Sequence, residues 1–140
     1  QPSNSLKAIY ETFLNSKKIG VLGNCGGGRD KWKRKEMAET ADKYCEKIIL
    51  TDEDPYEDDP REIVAGMAKH FKINKPEIIM DRREAIATAF KKAGKGDIVI
   101  ITGKGTDPYI MRKNGLKEKW SDAEVVKEEL KKLKVESVKL

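Results

Sequence analysis

Apolar residues along the chain follow two alternating periods. Spacings of three and four residues predict amphipathic helices, at residues 4–16, 33–44, 61–71 and 81–93 and after Ser121. Short apolar runs predict buried strands, at residues 17–23, 47–51, 76–80 and 97–102. Asn114-Gly115 lies within a weakly alternating segment and indicates a hairpin. This order predicts an α/β fold with a Rossmann-like, mostly parallel sheet flanked by helices and an antiparallel hairpin near the C-terminus.

Capping residues mark several of the predicted helix starts. Ser3 or Asn4 is expected to cap the first helix, and Asp81 the fourth. Pro60 is suited to the first position of the third helix. Ser121 and Glu124 are spaced as a capping box for the last helix.

Three loops with unusual chemistry follow predicted strands, at residues 24–34, 52–60 and 103–109. Ligands of open parallel sheets bind at the carboxyl ends of the strands. Right-handed crossovers bring the loops of neighbouring strands to the same edge. The sequence therefore predicts that the three loops form one site.

The first loop combines three consecutive glycines, at residues 26–28, with a charged helix start. The glycines permit positive φ and a close backbone approach, and the helix start offers free N–H groups, so the loop suits phosphate or carboxylate. Arg29 and Lys33 are candidates for phosphate oxygens, and Asp30 for ribose hydroxyls.

Other interpretations of this loop stay open. Both the P-loop pattern and the Gly-x-Gly-x-x-Gly spacing of a dinucleotide site are missing, although Asp52 ends the second strand where a ribose carboxylate would lie. The glycines are also compatible with a plain tight turn, and the charges with a solvated helix start. Trp32 between basic residues is compatible with binding of single-stranded nucleic acid.

Composition sets the remaining bounds. At 140 residues the chain fits one domain, and 38% hydrophobic residues are enough for a folded core. A single His70 and the lack of Cys-x-x-Cys leave carboxylates as the metal ligands to consider. Two cysteines, Cys25 and Cys45, are expected to be reduced thiols in the cytoplasm. No apolar run approaches membrane-spanning length, and the start at Gln1 suggests a piece cut from a longer protein.

Motifs over nearly the whole chain resemble those of a known family. They are the glycine loop with the charges after it, the acidic and proline-containing second loop, Gly103-Lys104-Gly105, and Ser121-Asp122. In this order and spacing they resemble the C-terminal domain of the Mur ligases, and within the family most nearly the UDP-N-acetylmuramoyl-tripeptide synthetases, which add the third stem-peptide residue. Residues 1–140 are then expected to be a single C-terminal, amino-acid-binding domain of a longer enzyme.

The resemblance implies an ATP-dependent amide ligase of peptidoglycan precursor synthesis in the cytoplasm. In that family a central domain, outside this sequence, binds most of the ATP and Mg²⁺ and forms an acyl phosphate on the UDP-linked muramoyl peptide. The C-terminal domain closes over it and presents the amino acid, so no catalytic residue is expected here. Carried over by position, Arg29 and Asp30 would face ATP, with Lys33 and Arg34 as further candidates.

The partners implied are the UDP-linked muramoyl peptide, the amino acid and the other domains of the same polypeptide, with no nucleic acid and no membrane. Two alternatives stay open. One is a related Mur-type ligase, of murein peptide recycling or of pseudomurein synthesis. The other is a freestanding domain that binds a nucleotide or nucleic acid.

The second loop departs from the pattern of family members that add diaminopimelate. Those members carry Asp-Asn-Pro-Arg, in which Arg binds the distal carboxylate, whereas this chain has Asp54 for Asn and Tyr56 for Arg. A bidentate carboxylate clamp is therefore missing there. The surrounding acids are expected to favour a cationic side chain, and so lysine or another diamino acid. These acids are Glu53, Asp54, Glu57, Asp58 and Asp59, and Asp52 belongs to the same candidate site.

The third loop keeps Gly103 and Lys104, which are further substrate-binding candidates, but continues with Thr106-Asp107-Pro108 where those members have His-Glu. Asp107 is either a ligand of the α-amino or ε-ammonium group or a turn residue before proline. Arg82 or Arg83 is expected to take the α-carboxylate of the amino acid.

Overall fold

A computed structural model of the chain describes the backbone of residues 2–28 and 31–138 and the side chains of residues 5–28 and 31–134. Its helices and strands, in chain order, are α1 (Pro2–Thr12), β1 (Lys18–Leu22), α2 (Lys31–Tyr44), β2 (Lys47–Leu50), α3 (Pro60–Ala68), β3 (Glu77–Ile78), α4 (Arg82–Lys92), β4 (Ile98–Ile101), β5 (Tyr109–Met111), β6 (Lys117–Lys119) and α5 (Asp122–Val138). Arg29 and Asp30, two of the predicted nucleotide contacts, lie outside the described residues.

Four strands form a parallel sheet in the order β3-β2-β1-β4. Val21 of β1 lies between Ile49 of β2 and Ile101 of β4, so the middle of the sheet is entirely aliphatic. Strands β5 and β6 pair antiparallel as a separate hairpin, with Tyr109 opposite Lys119. The predicted α/β fold is confirmed.

Helices cover both faces of the sheet, because the buried strand residues alternate between two apolar clusters. One cluster lies under α1, α2 and α3, and its buried members are Leu6, Tyr10, Leu22, Ala41, Cys45, Ile48, Leu50, Val64, Met67 and Ile100. The other lies under α4, and its buried members are Ile19, Val21, Ile49, Ala85 and Ala89. Helix α5 packs against α4 on the outside. No helix in the described part of the chain combines the length and the apolar character that a membrane crossing requires.

Most of the predicted boundaries hold to within a few residues. Asp81 caps α4 by accepting a hydrogen bond from the Glu84 N–H, and the Ser121 hydroxyl accepts from the Glu124 N–H at 3.2 Å. The hairpin turns at Asn114 and Gly115, whose φ values are 61° and 71°.

The start of the first helix differs from the prediction. Helix α1 begins at Pro2, so Ser3 and Asn4 lie inside it and the predicted cap is wrong. The helix also ends earlier, at Thr12. The Lys18 ammonium is buried below this end and donates to the carbonyl oxygens of Phe13 and Ser16 at 2.9 and 2.7 Å. Both carbonyls belong to the turn that follows the helix, so the ammonium ties this turn to the start of β1.

Asp42 on the inner side of α2 fixes the loop that leads into β3. Its carboxylate accepts hydrogen bonds from the backbone N–H groups of Lys72, Ile73 and Asn74, at 2.7 to 2.9 Å, and from the Asn74 side chain at 3.0 Å. Burial by itself raises the pKa of Asp42, but these hydrogen bonds to the ionised form outweigh it and hold the pKa below the ordinary value.

We predict that Asp42→Asn lowers the free energy of unfolding by about 2 kcal/mol at pH 7, because an amide nitrogen then faces the backbone N–H groups. A depressed folded pKa contributes stability that is complete above the unfolded pKa of about 3.9 and is lost as pH falls through the folded pKa. Urea unfolding from pH 7 down to pH 3 should therefore show the advantage of the wild type shrinking.

The matched control for this variant is Asp81→Asn, since Asn and Asp are equivalent helix caps. An Asp42→Asn protein as stable as this control at pH 7 contradicts the prediction.

Candidate functional site

The three predicted loops meet at the carboxyl edge of the sheet. The Gly26 N–H of the first loop donates to the Asp54 carbonyl of the second at 2.7 Å. The Cys25 thiol lies 3.1 Å from Glu53 Oε1. The third loop reaches the second through the Lys104 ammonium. Parallel strand order alone brings these residues together, because β2, β1 and β4 are neighbours.

A buried ion pair joins the second and third loops. Lys104 Nζ lies 2.7 and 2.8 Å from the two carboxylate oxygens of Asp54, and the ammonium is inaccessible to solvent. Burial disfavours the charged lysine, but the hydrogen bonds and negative charges of Asp54 and Asp107 outweigh it and raise the pKa of Lys104. The hairpin joins the same pair, since the Met111 N–H donates to Asp54 Oδ1 at 2.8 Å. Asp54 therefore links the second loop to the third loop and to the hairpin.

The other acids of the second loop also have partners within the chain. Asp52 pairs with Arg112, and Asp58 accepts from the Gly27 N–H at 3.0 Å. Glu57 accepts from the Asn114 N–H at 2.7 Å, and Asp59 caps α3. Asp52 and Asp54 are thus ion-paired, whereas Glu57, Asp58 and Asp59 accept from uncharged backbone N–H groups and keep their negative charge. The predicted attraction of this acidic run for a cationic side chain therefore rests on the last three, which are exposed. The carboxylates support the first loop, the hairpin and a helix start.

Glu53 differs from these acids because no cation in the described part of the chain forms an ion pair with it. Burial raises the pKa of its carboxyl, opposed by the hydrogen bond with Cys25 and by the positive charges of Arg82 and Lys104. Two glycines make room for it. A Cβ on Gly103, whose φ is 116°, would lie 2.6 Å from Glu53 Oε2, and one on Gly23 would lie 2.9 Å from the Glu53 Cβ.

A cavity of about 490 Å³ opens beside Glu53. Its walls come from the first loop, the ends of β2 and β4, and the facing sides of α1 and α2. The lining residues are Ser5, Leu6, Ile9, Asn24, Cys25, Lys33, Met37, Glu53, Thr102 and Gly103. Its mixture of apolar walls with a few polar groups is typical of small-molecule sites.

The residues predicted to contact a nucleotide lie beside this cavity where they are described. Lys33 lines it. Arg34 donates through Nη2 to the Cys25 carbonyl at 3.0 Å, while its buried Nε has no hydrogen-bond partner among the described residues. A buried, unpartnered guanidinium N–H next to a lysine suits an anionic group. Trp32, in the first turn of α2, is 54% exposed.

The two arginines predicted to take the α-carboxylate have other partners in this conformation. Arg82 is 3% exposed and donates to Asp122 and to the carbonyl oxygens of Asp52 and Thr102. Arg83 pairs with Glu128 and Glu129 on α5. Carboxylate binding by either arginine requires these bonds to break.

Two further candidates lie on the rim of the site. The Asp107 carboxylate is 60% exposed and lies 3.3 Å from the Lys104 ammonium, so it keeps room for a second cation. Tyr56 adopts a positive φ of 53°, and its N–H donates to the Met111 carbonyl at 3.1 Å. The tyrosine thus occupies a tight turn braced by the hairpin.

Three ligand atoms of the site are close enough together for a metal ion. Those of Cys25, Glu53 and Asp54 lie within 4.8 Å of one another. The Lys104 ammonium is bonded to both oxygens of Asp54, however. A divalent cation would have to share that carboxylate with a lysine, so the cluster does not suit one.

Three residues that had no predicted role form bonds at the site: Cys25, Arg112 and Asp122. Cys25 had a usable signal, since it lies inside the glycine loop. Arg112 had none, because its partner Asp52 is 60 residues away in the chain. Asp122 belongs to the Ser121-Asp122 motif, but this motif does not indicate its partner Arg82, which is 40 residues away.

Comparison with known proteins places the chain in context. Residues 3–105 match the profile of the family described as "Mur ligase, glutamate ligase domain". The chain is 38% identical over 128 residues to a UDP-N-acetylmuramoyl-L-alanyl-D-glutamate–2,6-diaminopimelate ligase of Bacteroides thetaiotaomicron, covering 89% of this chain and 26% of the relative. It is 42% identical over 108 residues to the ligase of the same name from Caldanaerobacter subterraneus subsp. tengcongensis, covering 76% and 22%.

The solved structure of a ligase of that name superposes with a TM-score of 0.83 at 32% identity, over 94% of this chain and 28% of the other. The chain thus spans about a quarter of the length of the curated relatives that it matches.

We predict that Cys25 reacts slowly with iodoacetamide. Burial, followed by the charge of Glu53, raises its pKa to about 12, so at pH 8 its thiolate fraction should be about a thousandfold below that of free cysteine. Glu53→Gln removes the negative charge and should speed alkylation up to about tenfold. Peptide mass spectrometry separates Cys25 from the buried Cys45, which serves as the control. A Cys25 that reacts as fast as free cysteine contradicts the prediction.

Proposed function

The chain belongs to the Mur ligase family, and on that premise we propose that it is the C-terminal domain of an ATP-dependent amide ligase that adds a diamino acid to a UDP-N-acetylmuramoyl dipeptide in peptidoglycan precursor synthesis. The cavity at the carboxyl edge carries this proposal, because it combines Glu53, Lys33 and the Gly103 backbone in a recess that is largely apolar. The similarity to ligases of the third stem-peptide residue supports it.

The task of this domain in such a reaction is positioning. An amine must meet an activated carbonyl in a cleft that excludes water, and holding the two in place accounts for a large part of the rate. The three loops are suited to this task because Lys104 and Asp54 fix them to one another. The wall that they present to the cavity is accordingly rigid.

The residues expected to face the nucleotide are suited to binding an anion. Lys33 and Arg34 would contact phosphate oxygens from this side, and Arg29 and Asp30, by their place in the sequence, would extend the same surface. When bound, ATP supplies the phosphoryl group that activates the carboxylate, and Mg²⁺ is held mainly by the central domain of the longer enzyme. The buried, unpartnered Arg34 Nε is the observation that favours an anion here.

For the amino acid we propose lysine or another diamino acid. Because Asp52 and Asp54 are ion-paired within the chain, this choice rests less on the second-loop acids than on two other features. By the family resemblance, Tyr56 replaces the arginine expected of members that add diaminopimelate, and the Asp107 carboxylate remains open to an ammonium group. Diaminopimelate, which appears in the names of the relatives, is the competing substrate. A related Mur-type ligase of peptide recycling or pseudomurein synthesis would use the same site chemistry.

The exposed Trp32 among basic residues favours one second candidate, a freestanding domain that binds a nucleotide or single-stranded nucleic acid. Nucleic-acid affinity would fall steeply with salt and quench the tryptophan. Neither effect is expected here.

We predict that the full-length ligase, assayed with UDP-N-acetylmuramoyl-L-alanyl-D-glutamate and ATP, prefers lysine to diaminopimelate by about tenfold or more in kcat/KM, because a distal carboxylate lacks its bidentate partner. Tyr56→Arg should narrow the difference by restoring a guanidinium, and Tyr56→Phe is the control. Clear preference of the wild type for diaminopimelate overturns the choice of lysine, and turnover with neither amino acid overturns the ligase assignment.

The 140-residue chain by itself should show no ligase turnover, since the phosphoryl-transfer machinery lies in another part of the enzyme. Phosphate release and product formation, measured with each amino acid, should stay at the level of the protein-free blank. Amide formation by this chain alone contradicts the division of labour proposed here.

A further inference from the structure

We propose that Arg82 is a positioning residue that sets the spacing of the second and third loops, and that the start of helix α5 supports the site through it. This goes beyond the proposed function in assigning a role to a residue that touches neither substrate nor nucleotide. It rests on the proposed function only for its activity readout.

The four hydrogen bonds of Arg82 carry the inference. Its Nη1 donates to the Asp52 carbonyl and its Nη2 to the Thr102 carbonyl, each at 3.0 Å. These carbonyls belong to the residues just before Glu53 and Gly103, which both line the cavity. One planar guanidinium thus holds the second and third loops at a fixed distance from one another.

That separation has little tolerance. The α-carbon of Gly103 lies so close to the Glu53 carboxyl that even a methyl group would collide with it. A shift of either strand end therefore moves Glu53, and with it the hydrogen bond between Glu53 and Cys25. Gly103 and Glu53 are packed directly against one another, so a shift of one displaces the other.

The other side of Arg82 is held by the start of α5. Nε and Nη2 donate to the two carboxylate oxygens of Asp122 at 2.9 and 2.8 Å. Asp122 is itself oriented by the Trp120 indole N–H at 2.7 Å. A bidentate pair of this kind fixes the plane of the guanidinium. Residues 120 and 122, which hold the guanidinium from this side, lie beyond residues 3–105, the segment that the family profile matches.

Lysine cannot replace arginine in this role. An ammonium is a compact point charge and lacks the planar fork that reaches Asp122 and two carbonyl groups at once. Arg82→Lys therefore keeps the charge and loses the geometry. Lys92→Arg is the control, because Lys92 lies at the other end of the same helix in an exposed pair with Glu77.

The first test uses the 140-residue chain and Cys25 as a reporter of the position of Glu53. In Arg82→Lys we expect alkylation of Cys25 to rise severalfold. Alkylation of Cys45, which is buried in the apolar cluster under α1, α2 and α3, should stay at the wild-type rate. An unchanged Cys25 rate overturns the inference. So does an equal rise at both cysteines, which indicates general loosening. Should Arg82→Lys fail to fold, Asp122→Asn is compared by the same criteria.

The second test uses the full-length ligase. Displacing the cavity wall in Arg82→Lys should raise KM for the amino acid about tenfold and leave KM for ATP unchanged, and Lys92→Arg should match the wild type. An equal rise in both KM values, or none, overturns the positioning role. If the wild-type enzyme has no ligase activity, the proposed function fails and the Cys25 comparison still decides the role of Arg82.

Discussion

The contact on which the carboxyl edge depends is the buried pair of Lys104 and Asp54. Both carboxylate oxygens of Asp54 face the Lys104 ammonium. The Asp54 carboxylate also accepts from the Met111 N–H, and the Asp54 carbonyl accepts from the Gly26 N–H of the first loop. Three loops and the hairpin therefore converge on one side chain and its backbone. Breaking such a pair by removing one partner costs about 3–5 kcal/mol, because the remaining charge stays buried. Separating the second loop from the third would require this free energy, and the ion pair therefore holds the two loops together on this side of the site.

Helices, strands and the hairpin could be predicted from local sequence, since each depends on residues a few positions apart. The period of three and four gave α3 and α4, and Asn114-Gly115 gave the turn between β5 and β6. The start of α1 could not be predicted in this way. Its predicted cap at Ser3 or Asn4 reflects a preference that a helix beginning at Pro2 does not use. The turn after its end is tied to Lys18, which begins the next strand.

The convergence of the three loops could also be predicted, because parallel strands carry the loops that follow them to one edge of the sheet. The bonds that their side chains form could not. A run of acids looks the same in a sequence whether its charges are free or neutralised, and here the partners of Asp52, Asp54 and Glu57 lie 50 to 60 residues away. Arg82 illustrates the same limit. In the sequence it is a cation at a helix start, which suggests a carboxylate ligand. In the structure it is buried and bonded to Asp122 and to two backbone carbonyl groups.

This distribution of charge constrains how the site can select an amino acid. Because two acids of the second loop are ion-paired within the chain and the others are held by backbone N–H groups, general electrostatic attraction gives little discrimination between one diamino acid and another. Among the described residues, Asp107 on the rim and Glu53 on the cavity wall are the groups best placed for selection. Arg82 bonds the carbonyl of the preceding residue, Asp52, and two glycines confine the Glu53 side chain, so the position of Glu53 depends on backbone geometry. Specificity in this domain then depends on the spacing between the loops that line the cavity. Residues that do not contact the ligand can alter the specificity by changing this spacing.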